Sequence, residues 1–212
     1  MPSPVTLLTV AVLAFIATRL LGAVGLIGRP EVRRHLATIV RGVRARHVVL
    51  AVPVLVAVAT SASLLIEVPG LDWGWWTALG GEGNPVVGST ERTEGTPLAW
   101  AIPLLFLLLL IPVLPLFAER EEQIFRAGAE HWSRGRRFVR SLEFGLVHAV
   151  IGIPIGVALA LTVGGWYFTA CYLRAYRRTG RPEFALLEST RAHLAYNAVI
   201  VAIVLPTLLV LA

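Results

Sequence analysis

The chain alternates between long apolar stretches and shorter polar stretches that carry most of its arginines. The apolar stretches cover residues 5–28, 48–66, 98–117, 144–173 and 192–211. Each is close to or above the roughly 20 residues that an α-helix needs to cross the hydrocarbon core of a bilayer. This pattern predicts an all-α membrane protein, a polytopic helical bundle of five to six spans.

The fourth apolar stretch, 144–173, is too long for one straight span and too short for two. Arginines lie before it, at Arg140, and directly after it, at Arg174. Because arginine marks the cytoplasmic side of a span, both ends of the stretch are expected on the same side. Pro154 and two flanking glycines interrupt any helix in its middle. We therefore predict a broken or re-entrant helix pair around Gly152–Gly156.

The polar connections indicate the orientation of the bundle. Residues 29–47 contain six arginines and a single acidic residue, which is typical of a cytoplasmic loop with a short interfacial amphipathic helix. Residues 67–97 contain five acidic residues, and Arg92 is their only basic residue. We expect this second loop outside, with tryptophans as interfacial anchors at Trp73, Trp75 and Trp76.

Composition excludes a soluble protein of this size. Hydrophobic residues make up 56% of the 212 residues and charged residues 15%, with a mean hydropathy of +0.74, against roughly 45–50% and about 25% in soluble domains. The net charge of +6 would suit nucleic acid, but the basic residues flank apolar segments. The expected partner is therefore the lipid bilayer, with no nucleic acid. The single cysteine, Cys171, excludes an internal disulfide.

All nineteen basic residues are arginine, and lysine is absent. Because protein chemistry does not require that choice, it suggests GC-rich coding, and we expect a bacterial protein of the cell membrane. In the topology that the basic loops indicate, the polar residues described next all lie near the cytoplasmic side.

A first group of polar residues lies where the third apolar stretch ends. Glu121 and Glu122 are adjacent, and Arg126 follows Glu122 by four residues. On a helix Glu122 and Arg126 face each other, which favours a salt bridge. Glu121 points about 100° away and is free to face a cavity. The alternative interpretation is a solvated helix end that carries charge.

Two further pairs, each four residues apart, lie in apolar helix. They are Phe144 with His148, and His193 with Asn197. Taken singly, His148 suits a hydrogen-bonded packing role, and Asn197 suits a hydrogen bond between helices. Together with the carboxylates they supply a base, a histidine that can share its proton, and hydrogen-bond donors. That combination is what a water-activating site with an oxyanion hole needs, and all its members are expected near the cytoplasmic side.

This ordered set of residues resembles the three motifs of the CAAX protease and bacteriocin-processing (CPBP) family, which are intramembrane endopeptidases. The sequence around the motifs is also similar to that of the family, in EEQIFRAG and in YRRTG before the last helix. The resemblance covers about residues 98–205 as a catalytic core. Residues 1–97 would add two N-terminal spans and the external loop. We expect residues 1–212 to form a single transmembrane domain.

The resemblance implies a role for each residue. Glu121 would be the general base, working with His148 to activate the attacking water. Glu122 would take part in catalysis and, with Arg126, organise its helix. His193, Asn197 and Phe144 complete the site: the first two would stabilise the oxyanion, and the phenylalanine would pack beneath them.

No metal or other cofactor is expected, since the chain has no HExxH helix and Asn197 is a poor zinc ligand. Zinc held by the two histidines and a carboxylate is the alternative. The resemblance thus implies an intramembrane endopeptidase that hydrolyses a peptide bond of a membrane-associated or lipidated substrate. The substrate would be a peptide or a membrane protein. Two other interpretations stay open: a catalytically silent protein of this fold, acting as a bacteriocin-immunity factor or scaffold, and a small transporter.

Overall fold

The computed structural model describes residues 4–81, 84–85 and 95–211. These ranges contain eight α-helices and no β-strand. The helices are α1 (Pro4–Ile27), α2 (Pro30–Arg41), α3 (Ala45–Ile66), α4 (Trp75–Ala78), α5 (Leu98–Arg126), α6 (Arg134–Leu146), α7 (Ile155–Thr179) and α8 (Pro182–Leu211). Two short 3-10 turns, Ala129–His131 and Val147–Ile151, lie before and after α6.

Five of these helices, α1, α3, α5, α7 and α8, are long and apolar enough to cross a membrane. The expected all-α polytopic membrane protein is thereby confirmed. The expected amphipathic helix after the first span is α2, which buries Leu36 and Ile39 while Arg33 and Arg34 stay exposed. It begins with Pro30, whose fixed φ suits the first turn of a helix.

The predicted break is also confirmed. Helix α6 continues into the turn Val147–Ile151 and stops at Gly152, whose φ of 92° lies in the left-handed region that glycine adopts at no steric cost. Helix α7 then begins against the segment that follows α3, where the Ile155 N–H donates to the Trp73 carbonyl at 2.9 Å. Helices α6 and α7 pack against each other as a pair.

Two helices begin earlier than the apolar pattern predicts. Helix α6 begins at Arg134 rather than at Phe144, because the Ser133 hydroxyl caps it by accepting from the Arg136 N–H. Helix α8 begins with Pro182 rather than near Ala192. Both extensions lie in polar sequence, where hydrophobicity carries no signal and capping residues decide the boundary.

The beginnings of α3 and α8 and the last turns of α5 lie at the same end of the bundle. On α3, His47 Nε2 lies 3.0 Å from Glu188 Oε1 of α8. On α2, His35 Nε2 lies 2.7 Å from Glu119 Oε1 of α5. We call this the arginine-rich end, since the arginines of 29–47 and 174–181 lie in its chain segments.

The predicted tryptophan anchors lie at the opposite end, in the segment after α3. Trp73 is 53% exposed, as an interfacial anchor requires. The anchor prediction is wrong for Trp76, which is 2% exposed because it packs beneath Gly81 and Gly152. Arg92 and residues 86–94 around it lie outside the described residues.

Helix α7 is central, since it packs against α3, α6 and α8, while α5 packs against α8 and α1. The main core cluster combines small side chains of α3, α7 and α8 with four aromatic rings, those of Phe125 from α5, Phe144 from α6, Phe168 from α7 and Tyr196 from α8. Four helices therefore converge on one aromatic core, and the polar residues singled out in the sequence lie beside it.

Candidate active site

Glu122 and Arg126 on α5 form an ion pair inside the protein. Both side chains are fully buried, and Arg126 Nη1 lies 3.3 Å from Glu122 Oε1. Arg126 Nη2 also donates to the Gly165 carbonyl on α7 at 3.2 Å. The predicted i,i+4 salt bridge is therefore present. Because an isolated buried charge is strongly unfavourable, each member requires the other.

His193 on α8 connects the two carboxylates. Its Nδ1 lies 2.9 Å from Glu122 Oε1, and its Nε2 lies 3.7 Å from Glu121 Oε2. An ionised carboxylate only accepts hydrogen bonds, so Nδ1 carries the proton of the bond to Glu122. Nε2 is thereby left facing Glu121, at a distance longer than a hydrogen bond. We call Glu121, Glu122, Arg126 and His193 the Glu/His cluster.

The two glutamates differ in access although they are neighbours in the chain. The Glu121 side chain is 34% exposed, whereas that of Glu122 is buried completely. Among the described residues, one oxygen of each carboxylate and two nitrogens of Arg126 are buried without a hydrogen bond. Buried polar atoms with unused bonding capacity are uncommon in folded proteins and occur at reactive sites.

Aromatic rings fix the orientation of the cluster. Phe168 stacks on His193 with ring centroids 4.3 Å apart, and Phe144 meets the same ring edge-on at 5.6 Å. The Arg126 guanidinium lies 4.2 Å from the centre of the Phe144 ring, a cation–π contact. Phe144 thus packs against the site as predicted. Phe168 was missed by the sequence analysis.

Gly165 gives the one sequence signal that could have pointed to Phe168. A Cβ at Gly165 would lie 2.9 Å from the Ser141 carbonyl and 3.1 Å from the Phe144 ring. A larger residue would therefore push α7 away from α6. The close approach holds α7 against α6, and three residues further along α7 the buried ring of Phe168 reaches His193.

His148 does not pair with Glu121, so the direct contact expected between them is absent. In the described part of the chain, the histidine beside Glu121 is His193, with 3.7 Å between Nε2 and Oε2, and the His148 Nδ1 donates to the Phe144 carbonyl at 2.7 Å. The reason is local: His148 lies on the 3-10 turn beyond the end of α6, where it folds back over the last helical turn. Its ring lies against the ring of Phe144, with centroids 5.1 Å apart.

Asn197 lies four residues after His193 on α8 and is half-buried. It has no hydrogen bond to any described residue, so its predicted role as an oxyanion donor stays a prediction. The absence of a metal from the reaction likewise stays a prediction. Within the described ranges, no group of three or more His, Cys, Asp or Glu residues is arranged to hold a metal ion.

Comparison with known proteins identifies no relative of this chain. No protein-family model, no curated protein and no solved structure matches this chain. The resemblance to the CPBP motifs therefore rests on the residues themselves. What the structure contributes is that residues from α5 and α8, far apart in the sequence, meet in one buried cluster against Phe144 of α6.

Proposed function

We propose that this protein is an intramembrane endopeptidase in which Glu121 is the general base. The observation that carries the proposal is the position of His193 between Glu121, whose side chain is 34% exposed, and the buried carboxylate of Glu122. The cluster lies among helices that can cross a membrane. A partly accessible carboxylate with a histidine beside it suits a general base that activates water.

In the proposed reaction, Glu121 takes a proton from water, and the resulting hydroxide attacks the carbonyl carbon of the scissile peptide bond. His193 Nε2 stabilises the protonated Glu121 or relays its proton. The proton then passes to the leaving nitrogen as the C–N bond breaks. Asn197 and the Arg126 charge nearby would favour the oxyanion of the tetrahedral intermediate.

His148 keeps a role in this scheme through water. The Phe144 carbonyl only accepts, so a neutral His148 carries its proton on Nδ1 and has a lone pair on Nε2. We propose that Nε2 accepts a hydrogen bond from the attacking water that Glu121 deprotonates. The two residues would then cooperate, as the family resemblance implies, without touching each other.

We further propose that the arginine-rich end faces the cytoplasm of a bacterial cell and that the site is reached from that side. The basis is the positive-inside rule. The substrate of the proposed endopeptidase would be a peptide or membrane protein that presents an extended segment at the membrane surface. A lipid anchor on the substrate would suit a site enclosed by membrane-spanning helices.

One observation favours the alternative of a catalytically silent scaffold. Arg126 joins α5 to α7 through the Gly165 carbonyl, and His193 joins α5 to α8 through Glu122. Polar links between helices of this kind stabilise membrane bundles without any chemistry. Glu121 distinguishes the two proposals, because its side chain is partly exposed and makes no hydrogen bond to another helix among the described residues.

The experiment is a comparison of membranes from cells that express the protein or a variant of it. Newly formed peptide termini are mapped by mass spectrometry for the unaltered protein, for Glu121→Gln, and for Glu119→Gln as the matched control. Glu119 lies on the same helix and pairs with His35 instead. We expect termini that depend on the protein to vanish in Glu121→Gln and persist in Glu119→Gln. Persistence in both variants would support the scaffold.

A further inference from the structure

A separate cavity of about 640 Å³ opens at the arginine-rich end, between α3, α7 and α8. Neither the glutamates nor the histidine of the Glu/His cluster line it. Its wall carries four arginines, two from the segment that begins α3 and two from the end of α7: Arg44, Arg46, Arg174 and Arg178.

Three of these arginines have no internal counter-charge. Arg46 pairs with Glu188, the only acidic residue in the lining, and Glu188 is also 3.0 Å from His47. In the described part of the chain, the guanidiniums of Arg44, Arg174 and Arg178 make neither an ion pair nor a hydrogen bond. The cavity therefore has an excess of positive charge.

Arg174 and Arg178 are four residues apart on α7 and so share one face of the helix. Like charges at this spacing repel and destabilise the helix slightly. Both nevertheless face the same cavity as Arg44. An anion bound among the three would remove the repulsion. Guanidinium groups suit a phosphate, whose oxygens they can bind in pairs.

The lining also has an apolar part, with Leu50 from α3, Tyr167 from α7 and Phe184 from α8. Leu50 is 47% exposed and Phe184 is 41% exposed. Both belong to helices that can cross a membrane. The apolar wall is thus continuous with the surface that these helices offer to lipid. A ligand with a charged head and an apolar tail fits this arrangement better than a free anion.

We propose that this cavity binds the phosphate headgroup of an anionic phospholipid, with its acyl chains along Leu50 and Phe184. Arg44, Arg174 and Arg178 contact the phosphate. The proposal is independent of the proposed peptidase activity, because it involves none of the residues of the Glu/His cluster. It also differs from the general attraction of basic residues to anionic membranes, which depends on charge number and not on position.

The test uses purified full-length protein in detergent, titrated with phosphatidylglycerol or phosphatidylcholine and followed by native mass spectrometry. The double variant Arg174→Gln/Arg178→Gln is compared with Arg177→Gln/Arg181→Gln. The control removes the same charge from the same end of the bundle but from outside the cavity lining. We expect the first variant to weaken phosphatidylglycerol binding by about tenfold or more and the control by less than about threefold.

Arg44→Gln provides an independent variant, since Arg44 is exposed and precedes α3. It keeps the test decisive should the double variant fail to fold, which thermal unfolding in detergent would reveal. Equal losses in the cavity and control variants would overturn the proposal in favour of general surface attraction. Equal binding of phosphatidylcholine, or displacement of the lipid by millimolar inorganic phosphate, would overturn the anionic lipid as the ligand.

Discussion

At the scale of single residues, the most informative contrast is between two adjacent glutamates. Glu122 is enclosed by Arg126 and His193, while Glu121 reaches His193 from a side chain that is 34% exposed. The same residue type thus occupies a structural and an accessible position one residue apart. Removal of the first should affect stability, and removal of the second should affect activity.

Glu122→Gln should therefore destabilise the protein, by about 3–5 kcal/mol, because it leaves the fully buried Arg126 without its counter-charge. Arg126→Met should have a similar effect for the reciprocal reason. The double variant Glu122→Gln/Arg126→Met should be less destabilised than the sum of the single variants. Unfolding in detergent measures all three. Strict additivity would show that the pair is not coupled.

Removal of metal is a second test at the residue scale. Since the proposed reaction uses Glu121 and histidine to activate water, exhaustive treatment with a chelator should leave cleavage unchanged. The measurement is the rate of peptide release before and after chelation. Loss of activity that zinc restores would contradict the proposed chemistry and indicate a metal site built on the two histidines.

At the scale of helices, the close approach of α6 and α7 holds the aromatic frame of the site in place. A Cβ on Gly145 would lie 2.5 Å from the Ala158 carbonyl and 2.8 Å from the Thr162 nitrogen, both backbone atoms of α7. Small residues at such contacts allow helix backbones to approach closely in membranes. The position of Phe144 against His193 depends on this contact.

Gly145→Ala should consequently separate the two helices and lower the midpoint of thermal unfolding in detergent by several degrees. Gly22→Ala on α1 is the matched control, because a Cβ there meets nothing within 4 Å. It should leave stability unchanged or raise it slightly, since alanine favours helix. A Gly145→Ala variant as stable as the Gly22→Ala variant would contradict the importance of this contact.

The sequence predicted those helical features that depend on local patterns. The break at Gly152–Gly156 follows from proline and glycine in an apolar run, and the Glu122–Arg126 pair follows from helical spacing. The partner of Glu121 could not be predicted in the same way. Whether Glu121 meets His148 or His193 depends on how α5, α6 and α8 pack. Phe168 was missed for the same reason.

At the scale of the whole molecule, the apolar pattern predicted the number of membrane-crossing helices because each span has to satisfy its backbone internally. It did not predict where the polar extensions of α6 and α8 begin, as no membrane boundary marks them. These extensions matter, since α8 places Glu188 beside His47 and forms part of the arginine-lined cavity.

The orientation of the bundle can be tested with single cysteines in a Cys171→Ser background. Val68→Cys lies just after α3, and Arg181→Cys lies between α7 and α8, at the other end. A reagent that cannot cross membranes should label Val68→Cys in intact cells and Arg181→Cys only after lysis, because arginine-rich ends face the cytoplasm. The reverse pattern would contradict the proposed orientation.

The most direct test of the central claim is hydrolysis by the purified protein in lipid vesicles, with solubilised membrane peptides as substrate in water enriched in ¹⁸O. The unaltered protein and Glu119→Gln should release peptides that carry ¹⁸O in their new C-terminal carboxylates. Glu121→Gln should release none while unfolding at the same temperature as the unaltered protein. Release by folded Glu121→Gln at the unaltered rate would contradict the role of Glu121 as the base.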